Sequence, residues 1–327
     1  MIDDEEKARL EAEGGDNLIM SSKHPVTGKW THYVPFFIIY QSKAMRSVLM
    51  EHGLIIVSMD STHCTTPYGF KLFALVSLDG LRHIRTFAVF IVQHETIPIL
   101  TFCLKKVVEH MRRTEDFVWN PKIVIVDKSD AEIASVGSVW PDALKWLCIC
   151  HVHRDLDRAL CSHVGKSGSL VLKLLFENMM YTTNRRTLKK FREKILQHPL
   201  VCDHHELQVY LKNEWFNCEE MWTMTDRQFY HKRIDTTNIS ESWNHTVKSI
   251  LRTLQNKEVS TIFPCIVEDI LLVEALKAAD VEYSQSSLWR NQSKAVYADL
   301  EEIEFKGKLS FTRLDLWSMS NMATVVF

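Results

Sequence analysis

Apolar positions along the chain follow two kinds of pattern, one continuous and one helical. Leu54-Ile55-Ile56-Val57-Ser58-Met59 and Ile123-Val124-Ile125-Val126 are unbroken runs, the pattern of strands covered on both faces in a parallel or mixed sheet. Each run ends on an acid, Asp60 in the first and Asp127 in the second. Two more β-prone runs, Phe70 to Ser77 and Arg82 to Val92, flank Asp79-Gly80, and that pair predicts an antiparallel hairpin whose glycine takes a positive φ. Leu144 to Cys150 supplies a fifth strand. Helical spacing fills the gaps. Phe36, Phe37, Ile39, Met45, Val48 and Leu49 predict a helix from Val34 to Glu51 that Gly53 stops. Ile99, Phe102, Val107 and Met111 predict another over Glu95 to Arg113, with Pro98 tolerated in its first turn. Ser129-Asp130-Ala131-Glu132 has capping-box spacing, so a helix opens within two residues of Asp127 and closes at Pro141.

The resulting order, β-β-β-α-β-α-β, is that of a ribonuclease-H-like core: an α/β fold with a mixed five-stranded sheet flanked by helices. From about 155 to 235 the strand pattern stops, and residues 169 to 180, 184 to 197 and 204 to 217 read as helices, with Pro199 as a break. Cap-forming residues from Asp235 then open a helix on which Glu241, His245 and Lys248 share one face. The expected organisation is an acidic, weakly ordered lead-in (1–30), the core with the first two acids (31–160), an all-helical insertion (161–235), a core helix with a third acid (236–262) and a C-terminal helical segment (263–327).

Composition adds bounds. At 327 residues, 46% hydrophobic and 24% charged, the chain has the make-up of a globular protein. No apolar run approaches a membrane span, and Met1-Ile2-Asp3-Asp4-Glu5-Glu6 lacks the order of a signal peptide, so an intracellular, non-secreted address is expected. Eight scattered cysteines fit reduced thiols rather than a disulfide framework. The net charge is −2, yet residues 145 to 194 hold eleven Lys or Arg against four acids. A basic stretch of that kind is either a solvated helix face or a nucleic-acid contact.

Two buried strands that each deliver an aspartate at their carboxyl ends are how an α/β sheet builds a two-carboxylate metal site. Asp60-x-x-His63, Asp127 with Asp130-Ala131-Glu132-Ile133 behind it, Cys148-x-x-His151, and Thr236-Thr237-Asn238-x-x-Glu241-Ser242 occur in that order. Tyr40-Gln41-Ser42, Met45 and His94-Glu95-Thr96 accompany them. From about Tyr33 to Leu254 the chain resembles the Mutator-like element (MULE) transposases, of the DDE type with a ribonuclease-H-like core. The resemblance implies that Asp60, Asp127 and Glu241 are the catalytic, metal-holding triad of DNA transposition, with 67 residues between the two aspartates and 114 between Asp127 and Glu241. It implies two Mg²⁺ or Mn²⁺ ions, DNA as partner (transposon ends or non-specific duplex), a nuclear address and no membrane, and it leaves a homo-oligomer open. His63, Cys148 and His151 are auxiliary candidates. Zinc on Cys148 and His151, completed by Cys150, His153, Cys161 or His163, is not expected as a structural site because no second pair stands at finger spacing. Arg154, Arg158, Arg185, Arg186, Lys189, Lys190 and Lys248 are candidates for the DNA backbone, and Arg154 and Arg158 have Asp155 and Asp157 as alternative partners. The zinc modules that flank many members are not expected here. A truncated or domesticated relic that binds DNA or protein without cutting is therefore the alternative, and a nuclease for RNA–DNA hybrids is a third reading.

Overall fold

The computed structural model describes residues 20–23, 30–33, 35–62, 69–80, 82–227 and 238–251. His63, Thr236, Thr237 and the expected helix from Ile266 to Ala279 lie outside the described residues. Two sheets are present. Strands β1 (Met20–Lys23) and β2 (Trp30–Tyr33) pair antiparallel within and just after the stretch read as a lead-in. The larger sheet is mixed and has six strands rather than the expected five. They are β3 (Phe37–Tyr40), β4 (Ile56–Thr62), β5 (Lys71–Leu78), β6 (Ile84–Val92), β7 (Ile123–Val126) and β8 (Leu144–Leu147), in the spatial order β3-β6-β5-β4-β7-β8.

The chain divides into two compact units. The first contains β3, β5 and β6 with helices α1 (Lys43–His52), α2 (Ile97–Glu115) and α8 (Asn238–Leu251). Strands β5 and β6 are buried almost throughout, as unbroken apolar runs require when both faces are covered. Ile38, Met45, Leu72, Ala74, Val76, Val89 and Ile91 form one apolar cluster with Trp243 and Val247 of α8. Strand β3 is the sixth strand, and it replaces the first two turns of the helix expected from Val34. Its Phe37, Ile38 and Ile39 are all buried, and it pairs antiparallel with β6. Burying a large apolar side chain is worth about 1.5–3 kcal/mol, whereas helix propensities of ordinary residues differ by about 0.7 kcal/mol at most, so sheet burial decides the outcome. Ser42 then caps α1, accepting the Met45 N–H at 3.2 Å.

The hairpin forms where Asp79-Gly80 indicates, but not with the expected backbone. The left-handed residue is Arg82 (φ 68°), not Gly80. The Arg82 N–H donates to the Asp79 carbonyl and the Asp79 N–H to the His83 carbonyl, both at 3.1 Å, which is the pattern of a longer loop that ends in a left-handed residue. Asp79 stabilises it, since its carboxylate accepts the His83 N–H at 2.8 Å and pairs with Arg85 at 2.8 Å.

The second unit contains β7, β8, most of β4 and the helices between Asn120 and Asn238. Strands β4, β7 and β8 run parallel. Helix α3 (Asp130–Val139) connects β7 to β8, and α4 (Ile149–Tyr181) follows β8. Helix α4 is two helices merged across a break at Gly165, whose φ of 72° and ψ of 172° only glycine adopts freely. Helices α5 (Arg185–Leu196), α6 (Pro199–Cys202) and α7 (His205–Leu211) complete an all-helical stretch around Phe176, Trp215 and Trp222, with Trp215 and Trp222 meeting edge to face at 6.1 Å. No helix among the described residues is long and apolar enough to cross a membrane.

Candidate active site

Register sets the backbones that carry the two aspartates on neighbouring strands. Ile56, Val57 and Ser58 of β4 stand level with Ile123, Val124 and Ile125 of β7. Two residues further along each strand come Asp60 and Asp127. Side chains alternate along a strand, so both acids fall on the face shared by Ser58 and Ile125, on backbones about 4.8 Å apart. Asp60 is only 5% exposed. A carboxylate so far from water is costly unless its charge is met, which marks this strand end as chemically distinct from its apolar surroundings.

Asp127 is the first residue past β7, and the turn that carries it is held twice. Ser129 caps α3 by accepting the Glu132 N–H at 3.4 Å. The Glu132 carboxylate, almost fully buried, accepts the Asp127 N–H at 3.2 Å. The capping-box spacing read from the sequence thus also reaches the backbone of the acid itself.

Cys148 and His151 arrive from the other side of the same turn. The strand expected to run to Cys150 ends at Leu147, because α4 begins at Ile149. Cys148 is the N-cap residue, fully buried, and its N–H donates to the Val126 carbonyl at 2.9 Å. His151 lies in the first turn, with Nδ1 2.5 Å from Asp127 Oδ1. Asp127 foremost, and Cys148 after it, push the His151 pKa up to about 10 against the opposing effect of burial. In the metal-free chain His151 is therefore an imidazolium at neutral pH that offsets the Asp127 charge.

Glu241 belongs to the first unit, in the first turn of α8, and is half-buried, while His245 and Lys248 on the same helix are exposed. Two other glutamates, Glu214 and Glu219, are engaged in ion pairs. Glu214 pairs with Lys128, and Glu219 pairs with Arg192 at 2.9 Å.

The candidate DNA contacts are all on the surface. Arg154 is exposed, and Arg158 lies 3.5 Å from Asp155, one of its expected alternative partners. Helix α5 buries Leu188 and Ile195 and turns Arg185, Arg186, Lys189 and Lys190 to solvent, with Arg185 paired to Asp226.

One supporting residue has no local pattern to announce it. Arg227 is 3% exposed, lies 5.0 Å over the Trp146 ring, and donates from Nη2 to the carbonyls of Leu147 at 2.5 Å and Met221 at 2.8 Å. It holds the end of β8 one residue before Cys148.

Residues 56–155 match the family model of the MULE transposase domain. The matched stretch runs from the start of β4 into α4, so it spans Asp60, Asp127, Cys148 and His151 and points to a transposase-related function. No curated protein matches the chain.

Proposed function

We propose that this chain is a MULE-type, DDE transposase domain that cleaves and joins DNA phosphodiesters with divalent cations held by Asp60, Asp127 and Glu241. The observation that supports the reading is the parallel pairing of β4 with β7, which puts the backbones that carry Asp60 and Asp127 on neighbouring strands inside the stretch that matches the transposase domain. Carboxylate oxygens are the hard donors that Mg²⁺ and Mn²⁺ take, so the donor set fits the ions. When bound, the cations offset charge on the attacking and leaving oxygens of the phosphodiester.

The chain's own residues supply placement. Strand β4 and the turn after β7 carry the two aspartates, and the Ser129 and Glu132 hydrogen bonds hold the Asp127 turn against drift. The exposed cations Arg154, Arg158, Arg185, Arg186, Lys189, Lys190 and Lys248 are the groups for the DNA backbone. Arg158 and Arg185 are about three-quarters exposed, so their ion pairs are weak and readily exchanged for phosphate.

Nicking of supercoiled plasmid in Mn²⁺ tests the reading. The parent should relax the plasmid, and Asp60→Asn, Asp127→Asn and Glu241→Gln should each lose on the order of 100-fold or more in rate while still retaining DNA. Equal nicking by parent and variants would remove the triad. Salt-dependent DNA retention without nicking by the parent would instead identify a relic that binds DNA and does not cut it.

A further inference from the structure

Asp127 has Cys148 and His151 as neighbours, which offer a sulfur and a nitrogen. Those two come from a different element, α4, one turn apart, and the ligand atoms of Asp127, Cys148 and His151 all lie within 4.8 Å of one another. Two of the other candidate soft ligands have neighbours elsewhere. Cys161 bonds Asp157 at 3.2 Å and Ser169 at 3.3 Å, and His153 lies against Tyr181. Among the described residues Asp127, Cys148 and His151 are the one set of three or more such side chains whose ligand atoms already stand this close together.

We propose that Asp127, Cys148 and His151 form a second metal site, selective for a borderline cation such as Zn²⁺, that shares Asp127 with the Mg²⁺ or Mn²⁺ set. One carboxylate oxygen, one thiolate and one imidazole nitrogen are the donors zinc prefers, and three protein ligands leave a fourth tetrahedral position for water. Zinc bonds of about 2.0–2.3 Å place tetrahedral ligands about 3.3–3.8 Å apart. The cluster has to contract by at most about an ångström, and the Asp127–His151 contact has to open by a similar amount, changes within reach of side-chain torsions. The side chains of Asp127 and His151 are 28% and 17% exposed, so a cation reaches the group from solvent, while Cys148 is buried. Filling the site withdraws Asp127 from the hard-cation set, so Zn²⁺ would inhibit Mn²⁺-dependent nicking. That consequence rests on the proposed function; the binding itself does not.

Co²⁺ is the probe, because a thiolate ligand gives it a charge-transfer band in the near ultraviolet. The full chain, reduced, is titrated with Co²⁺ and then with Zn²⁺ to displace it, beside Cys148→Ser, His151→Gln and Asp60→Asn variants checked for helix content by circular dichroism. The band should appear in the parent and in Asp60→Asn and vanish in Cys148→Ser. Zn²⁺ affinity should drop by more than about tenfold in His151→Gln, at least the loss that an outer-shell change brings. Absence of a band in the parent, a band that survives Cys148→Ser, or Zn²⁺ affinity within about threefold of the parent in His151→Gln would each overturn the site. If Asp60→Asn abolishes nicking and leaves the Co²⁺ band intact, both proposals stand as separate sites. If the parent shows the band but does not nick, the catalytic reading fails and the soft-metal site remains.

Discussion

Replacing Asp127 by asparagine in the metal-free chain removes the charge that His151 faces at 2.5 Å while keeping size and a carbonyl acceptor. The His151 pKa stands at about 10, with Asp127 the leading cause. The ordinary value is about 6.5, and the difference of about 3.5 units, at 1.36 kcal/mol per unit, sets a ceiling of about 5 kcal/mol on what the proton contributes to folding. Both side chains retain some exposure, so solvent screening reduces this to on the order of 2–3 kcal/mol. A raised folded-state pKa means that the folded chain keeps a proton the unfolded chain releases between about pH 6.5 and 10. The stabilisation is complete below the lower limit and fades as pH climbs through the upper one. Urea unfolding in EDTA should therefore show Asp127→Asn less stable than the parent by about 2–3 kcal/mol at pH 6, with the gap closing toward pH 10. Nitrogen-15 spectra of labelled histidine, assigned with His151→Gln, should show His151 titrating well above neutrality in the parent and back toward 6.5 in the variant. A stability gap independent of pH, or a parental His151 that titrates near 6.5, would refute the ion pair as described.

Other perturbations follow from the same reasoning. Burial foremost, with Arg46 and Arg113 adding to it, lowers the His110 pKa to about 4, and His110 Nδ1 faces Gln41 Oε1 at 3.0 Å. The folded chain refuses a proton that the unfolded chain takes below about pH 6.5, so stability should fall by on the order of 1–3 kcal/mol between pH 6.5 and 4, and a His110→Leu variant should lose that part of the slope. Arg227→Met strips the end of β8 of its donor to the Leu147 and Met221 carbonyls and should cost on the order of 2–4 kcal/mol in urea unfolding; a change under about 0.5 kcal/mol would remove Arg227 as a support of the site. Gly165→Ala meets no atom within 4 Å of an added Cβ, so its cost, about 1–3 kcal/mol, is purely conformational and should appear as a lower thermal midpoint.

What the sequence revealed was what the chain encodes locally. The unbroken runs at Ile56 and Ile123 mark strands buried on both faces, and the acids that end them are visible because a charge at that place contradicts the run before it. Ser129 was legible as the cap of α3, since capping depends on spacing within one turn, whereas the Glu132 side chain accepts the Asp127 N–H rather than closing the box on Ser129. Non-local effects were not legible. Phe37–Tyr40 reads as helix until the pairing with β6 is known. The hairpin puts positive φ on Arg82 because Asp79 fixes the loop through His83 and Arg85. The Cys148–His151 spacing was visible, but its third neighbour, Asp127, lies 21 residues earlier and is brought there by the pairing of β7 with β8. Arg227 carries no periodic signal, and its partners come from the fold alone.

The central claim is that Asp60 and Asp127 jointly hold a hard divalent cation, and calorimetric titration of Mn²⁺ into the parent, Asp60→Asn and Asp127→Asn tests it most directly. Binding in the parent that both substitutions abolish, with both variants folded, is the predicted result. Binding that survives either substitution unchanged, or no binding by the parent, would contradict it.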